Sequence, residues 1–230
     1  MNKLLALVAV LVLLLSACAP TPPPAPTATP TPTPQDYLAA AANAMARLRS
    51  VQFSLEHEGA QIVLDPTLGA VFISAVGAYE SPDKVHATVK ADLAGTVLEI
   101  KMLWLPEGNF ISNPLTGAYQ ALPTDIPLDP VAMFNLDTGI SEILATGLVE
   151  AELVGVESIA GVEARHITAN ASAAAFAGLV PVEVEGALAI DVWLAVDGDY
   201  VLRVEITAES GDTTTIEFFG FDEPVTIPSP

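Results

Sequence analysis

From residue 51 onward the chain alternates apolar and polar residues with a period of two, the pattern of a sheet with one buried face. "VQFSLEHE" sets Val51, Phe53 and Leu55 against Gln52, Ser54 and Glu56. "GAVFISAVGAYE" is a second strand, closed by a turn at Ser81-Pro82-Asp83. "KVHATVKADL" places Val85, Ala87, Val89 and Ala91 on one face, and "TVLEIKMLWL" does the same with Leu98, Ile100, Met102 and Trp104. A turn from Pro106 to Gly108 leads to short strands around Phe110 and Tyr119. Strands resume in "AELVGVESIAGVEARHITAN". A hairpin follows in "ALAIDVWLAVDGDYVLRVEITAES", turning at Asp197-Gly198. "DTTTIEFFGFDEPVTIPSP" gives a last strand and an extended tail. Neighbouring strands are close in sequence, which predicts an antiparallel meander of about ten strands.

Helical spacing interrupts this pattern at two main places. "DYLAAAANAMARLRS", residues 36–50, repeats Leu38, Ala41, Ala42, Met45 and Leu48 along one stripe, with Asp36 as the expected N-cap. "LPTDIPLDPVAMFNLDTGISEILATG" begins irregularly, because of Pro123, Pro127 and Pro130. Asp129 and Pro130 predict the cap and first position of a short helix through Phe134, and Asp137 the cap of a second, ending at Gly147. "SAAAFAGLV" reads as a short helix or loop. The middle insertion must bury Val131, Met133, Phe134, Ile140, Ile143 and Leu144, so it is expected to cover the concave face of the sheet. The fold class is therefore α+β, with short helices on one face.

The chain start carries a different message. After Lys3, residues 4–15 are continuously apolar, too short a run to span a bilayer with ease and the length of a signal-peptide core. Leu15-Ser16-Ala17-Cys18 then matches the bacterial lipobox, in which the cysteine sulfur receives a diacylglyceryl group and the signal is cleaved before it. Cys18 is the lone cysteine, so no disulfide framework competes for it. Eight prolines follow between residues 19 and 35 and exclude helix and sheet there. Extended polyproline at roughly 3.1 Å per residue would reach about 50 Å. The expected organisation is a lipoprotein signal peptide at 1–17, a lipidated cysteine with a stalk at 18–35, and a single domain at 36–230. That organisation places the domain at the cell membrane, lipid-anchored, on the extracytoplasmic side.

Charge narrows the partners. With 28 acidic residues against 8 basic, the surface repels phosphate backbones and anionic headgroups, which excludes nucleic acid as an expected partner. The composition is 51% hydrophobic but only 6% aromatic, so the apolar excess is small and aliphatic, suited to a large core or to the lining of a cavity.

Candidate chemistry is sparse. The chain lacks G-x-S-x-G, H-E-x-x-H, P-loop and G-x-G-x-x-G motifs. His57, His86 and His166 are far apart, each within a strand pattern and off its best apolar face, and they read as solvated. Asp197-Gly198-Asp199 is a turn, well short of a calcium cage. Glu183 and Glu185 are ordinary alternation on a solvent face. No catalytic residue, metal site or cofactor is expected.

Several stretches together resemble the LppX/LprAFG family of bacterial lipoproteins. "ARLRSVQFSLEHEG" is similar to the family's first helix and strand, and "LDPVAMFNLDTGISEILA" to its mid-chain helical segment. "VESIAGVEARHITANAS", "VWLAVDGDYVLRVEI" and "FFGFDEPVTIPSP" are similar to its later strand pair, hairpin and ending. The resemblance spans residues 36–230. It implies a strongly curved antiparallel sheet, a half-barrel with helices in its concavity, similar to the LolA/LolB carriers. It also implies binding of lipid or glycolipid acyl chains between sheet and helices, and transport of them through the cell envelope, with envelope transport proteins as partners. The acidic surface departs from it, offering no basic cradle for a phosphorylated headgroup.

Two functional readings follow. The first is a membrane-anchored, non-catalytic carrier that holds acyl chains in an apolar cavity. Its candidate lining is Val51, Phe53 and Leu55, then Leu98, Ile100 and Met102, under Phe134, Ile140 and Leu144. The second is a surface-displayed structural or protein-interaction domain with a solid core. Both require the anchor. Cys18→Ser is expected to release the protein from membranes or leave it uncleaved; processing and membrane fractionation like the wild type would refute the lipobox.

Overall fold

The structure, a computed structural model, describes residues 31–65, 69–123, 130–176 and 186–230. The readings on the signal segment, Cys18, most of the stalk, Asp129, Glu183 and Glu185 lie outside the described residues. A helix α1 (Pro34–Met45) precedes β1 (Ser50–Glu58), β2 (Val63–Asp65), β3 (Ala70–Glu80), β4 (Lys84–Leu93), β5 (Thr96–Leu105), β6 (Gly108–Ser112) and β7 (Tyr119–Ala121). A 3₁₀ turn (Pro130–Phe134) and a single α-turn, α2 (Ile140–Glu142), come next, the latter continuing as a π-turn (Ile143–Gly147). Then come β8 (Val149–Ile159), β9 (Val162–Ser172), a 3₁₀ turn (Ala173–Phe176), β10 (Ala187–Ala195), β11 (Val201–Ala208) and β12 (Thr213–Phe219).

All described strands join one antiparallel sheet in the order β7-β6-β5-β4-β3-β1-β12-β11-β10-β9-β8, with β2 attached to β3. The expectation of a plain meander is corrected here. Two meanders, β3 to β7 and β8 to β12, are joined through pairing of the first long strand with the last. This β1–β12 contact spans most of the chain, and local alternation carries no signal for it. A further consequence is that β7 and β8, consecutive in sequence, sit at opposite edges of the sheet.

Register turns alternation into a continuous apolar surface. Ile100, Val89, Ala75, Leu55, Ile216, Val204, Val192 and Ile167 form one row across eight strands. All but Ile100 are buried. A parallel row runs Trp104, Val85, Tyr79, Val51. Between them lie Phe53 and Gly77, directly paired on β1 and β3. A Cβ built on Gly77 would stand 2.5 Å from the Phe53 ring and 2.5 Å from the His86 carbonyl oxygen. The ring therefore lies over bare backbone, and the glycine is required by that close approach.

Helix α1 begins one turn earlier than the sequence pattern suggests. Thr33 is the N-cap and Pro34 the first helical residue, so three residues expected in the stalk or cap, Pro34, Gln35 and Asp36, belong to the helix. Asp36 occupies the third position and closes a capping box: its carboxylate accepts from the Thr33 N–H at 2.7 Å, and its own N–H donates to the Thr33 hydroxyl at 3.3 Å. The Thr33 N–H first, and then the Thr33 hydroxyl, which donates to the same carboxylate at 2.8 Å, hold the Asp36 carboxyl below its ordinary range. The helix stops at Met45, short of the expected residue 50. Asp137 is likewise not a cap. Gly139 precedes α2, and a Cβ there would meet three carbonyl oxygens of the preceding turn at 2.4–2.8 Å. The Asp197-Gly198 connection is wider than a two-residue turn: Ala195 N–H donates to the Tyr200 carbonyl, and both Gly198 and Asp199 take positive φ.

The opposite face is more polar but has its own cluster, Ala164, Trp193, Ala195 and Leu202. His166 stacks on Trp193 at 4.5 Å and sits between Asp191, 2.6 Å from Nε2, and Glu157, 3.2 Å from Nδ1. The Trp193 indole N–H also donates to Glu157. His57 engages Thr214 and the Ala60 carbonyl. His86 departs from the solvated expectation: its Nδ1 is buried without a hydrogen-bond partner among the described residues. Burial, with help from Lys101, lowers its pKa below the ordinary 6.5.

Two outcomes follow from these contacts. Gly77→Ala should cost about 1–3 kcal/mol in denaturant unfolding, and Phe53→Leu in the same chain should recover part of the loss; equal stability of Gly77→Ala and wild type would refute the close approach. Because folding depresses the His86 pKa, the unfolded chain takes up the proton first as pH falls. Its contribution is complete above about pH 6.5 and is lost as pH drops through the lowered folded value. His86→Gln should therefore lose less thermal stability than wild type between pH 7 and pH 5, and parallel curves would contradict this.

Candidate functional site: the covered apolar face

The connection between β7 and β8 starts at one edge of the sheet and must end at the other. At about 4.8 Å per strand, that is a path of roughly 50 Å along a flat sheet. Residues 122–148 make it, and among the described ones Met133, Phe134, Ile140, Ile143, Leu144 and Leu148 join the same cluster as the rows described above. Phe134 marks the near half of the path. Its ring stacks on Tyr79 with centroids 4.0 Å apart and meets Phe53 at 6.3 Å and Phe218 at 6.4 Å. Such aromatic contacts contribute about 0.5–1.5 kcal/mol each beyond area burial. Tyr79 keeps its polar end satisfied by donating to the Pro82 carbonyl at 3.0 Å, while burial raises its pKa.

The far half holds a void. Met133, Ile140, Ile143, Leu144 and Leu148 from the crossing segment, with Phe176, face Ile190, Val192, Val204 and Ile216 of β10, β11 and β12. They line a partly open cavity of about 20 Å³ with no polar lining. That is near the minimum for a single water, and an apolar void of this kind stays dry. Helix α1 flanks this region with Leu38, Ala41, Ala42 and Met45, all buried. Arg165 anchors its start, stacking over the Tyr37 ring at 4.5 Å and pairing with Asp199 at 3.2 Å.

The nine candidate lining residues are distributed unevenly over this geometry. Val51, Phe53, Leu55, Met102, Ile140 and Leu144 are buried in the main cluster. Ile100 and Phe134 are partly buried against it, and Leu98 is half-buried outside it. Only Ile140 and Leu144 among them line the cavity. Sequence reasoning passed over Ile190, Val192 and Val204, although their alternation in "ALAIDVWLA" and "VLRVEI" is as regular as that of β1. What it lacked was the β1–β12 pairing that brings β10 and β11 beneath the cover.

The Leu122 N–H still donates to the Asn109 carbonyl of β6 at 2.8 Å, whereas several bonds further along the crossing segment are local. Asn135, Gly139 and Ile143 donate to the Ala132, Asn135 and Gly139 carbonyls, and the Thr146 hydroxyl donates to the Glu142 carboxylate. Among the described residues no group of three or more His, Cys, Asp or Glu side chains could hold a metal ion. Among them, too, no helix is long and apolar enough to cross a membrane.

Comparison with known proteins places this architecture. The structure of LprF from Mycobacterium bovis superposes with a TM-score of 0.72 at 20% identity, covering 88% of this chain and 99% of that one. The lipoprotein LppX of Mycobacterium tuberculosis gives a TM-score of 0.62 at 18% identity, with 85% and 98% covered. At these identities the likeness is one of fold. No curated protein sequence matched the chain. The model of the LppX_LprAFG lipoprotein family matches residues 33–227, so the expected resemblance holds and the chain belongs to the LppX_LprAFG lipoprotein family.

Proposed function

We propose that this protein is a lipoprotein anchored through Cys18 that binds the acyl chains of a lipid or glycolipid on the concave face of a half-barrel sheet. The segment 130–148 serves as a displaceable cover, and the Pro-rich tract holds the domain away from the membrane on the extracytoplasmic side. The protein carries or presents the lipid within the cell envelope, with envelope transport proteins as its partners, and performs no catalysis on it. Membership in a lipoprotein family supports the anchor.

The observation that carries this reading is the wholly apolar cavity between the cover and β10–β12. At about 20 Å³ it is a seam, far too small for an acyl chain as it stands. Entry therefore requires the cover to lift. The cover is suited to that, being built from a 3₁₀ turn, one α-turn and a π-turn, none long enough to be stable without packing. The energy balance also permits it. Each buried methylene contributes about 0.8 kcal/mol, so an acyl chain can replace the apolar contacts that the cover gives up. No specific polar residue is needed, in keeping with the lack of any catalytic motif.

The size of the void also favours the rival, a solid-core interaction domain, and one substitution separates them. Val204 is buried on β11 against the cavity. In a carrier, Val204→Phe should keep the fold while lowering uptake of a fluorescent palmitoyl probe about tenfold. In a solid core the extra volume costs about 1–3 kcal/mol, and the wild type takes up no probe. Thermal unfolding and probe titration on the same samples read both quantities; a wild type without uptake would overturn the carrier.

A further inference from the structure

Trp104 is 2% exposed, and its indole N–H is buried without a hydrogen-bond partner among the described residues. It lies on the apolar face, in register with Val85, Tyr79 and Val51, and belongs to the main core cluster. Buried indole N–H groups usually find an acceptor. The other tryptophan, Trp193, does so, donating to Glu157. Tyr79, two strands away in the same row, satisfies its own hydroxyl. Trp104 has given up water and gained nothing in return.

Its position on β5 supplies a reason. Leu98, Ile100, Met102 and Trp104 form one side of this strand, opposite Ala91, Val89, Ala87 and Val85 of β4. Burial increases along this track: Leu98 and Ile100 are half-buried, Met102 is 5% exposed and Trp104 2%. From Leu98 to Trp104 the track runs about 20 Å at 3.3 Å per residue, the length of an extended palmitoyl chain. Trp104 is next to the last residue of β5, one position before the strand turns into β6. Small residues of β4, Ala87 and Ala91, leave the side chains of β5 as the relief of the track.

We propose that the unpaired Trp104 indole N–H is the polar anchor of an acyl track on β5, on the same face as the β10–β12 cavity but across the sheet from it, donating to the carbonyl oxygen of an ester-linked chain that lies over Met102, Ile100 and Leu98 with its headgroup toward the β5–β6 turn. This rests on the acyl-carrier reading and adds the class of ligand: acyl esters in preference to unsubstituted hydrocarbon. The selectivity arises because an alkane covers the same apolar track yet leaves the donor unpaired, whereas an ester carbonyl satisfies it. The absence of a basic cradle fits this choice, since a neutral acceptor needs none.

The test uses the full chain carrying Cys18→Ser, labelled with ¹⁵N in its two indoles, and two probes of equal chain length, methyl palmitate and hexadecane. Methyl palmitate should move the Trp104 indole N–H resonance downfield and leave that of Trp193 in place. Hexadecane should bind without that shift. Trp104→Phe, which keeps an aromatic ring, should weaken methyl palmitate about tenfold, one hydrogen bond's share, and leave hexadecane unchanged. The resonance experiment needs no variant, so it stands even if Trp104→Phe folds poorly. An unmoved Trp104 resonance in the methyl palmitate complex would overturn the anchor, as would equal weakening of both probes; in either case the acyl site itself survives. If neither probe binds, the anchor and the carrier reading fall together.

Discussion

The connection between β7 and β8 constrains everything else in this fold. Two antiparallel meanders are stitched at β1 and β12, which leaves the ends of the middle connection at opposite edges of one wide sheet. The chain can return only by crossing a face. Whatever crosses must bury apolar side chains against the sheet, and must do so without strands, since both sheet edges are far from the middle of the path. Phe134 on Tyr79 and Leu144 against Val204 and Val192 are the local solutions. The cover is thus a topological requirement before it is a functional device.

The manner of its attachment gives the cover its character. Strands of the sheet are held by ladders of backbone hydrogen bonds in addition to packing. Residues 132–146 keep the backbone bonds named above within themselves and meet the sheet through apolar and aromatic contact. Apolar contact is non-directional and proportional to area, so it can be exchanged for contact with another apolar body. Gly139 packs against three carbonyl oxygens at the point where the 3₁₀ turn gives way to α2, and the π-turn follows directly. Such irregular turns often mark functional sites within helices.

The strand inventory was legible because each strand has one buried face, so alternation survives in β1, β4, β5, β10 and β11. The short β2 was not legible, since three residues hold no periodicity. Nor was the β1–β12 pairing, whose partners are separated by nearly the whole domain. The cap of α1 was misplaced because Thr33 and Asp36 both suit the role, and only geometry shows that they share it. The π-turn has the composition of an ordinary helix and no sequence signature. Gly77 looks like any strand glycine until Phe53 is seen lying over it. Of the residues around the cavity, the sequence pattern picked out two, Ile140 and Leu144. It could not yield β10 and β11 as their counterpart, and it gave no hint that Trp104 lacks an acceptor while Trp193 has one.

The account turns on the cover being able to leave the sheet while the sheet stays folded. Native-state amide hydrogen exchange measures this directly, because the Gly139 and Ile143 amides donate within the cover and the amides of β11 and β12 donate within the sheet. A displaceable cover predicts that Gly139 and Ile143 exchange through an opening that is well below global unfolding in free energy and insensitive to the stability of β11 and β12. If those two amides exchange only in step with the strands, at the free energy of global unfolding, the cover is an integral part of a solid core and the account is wrong.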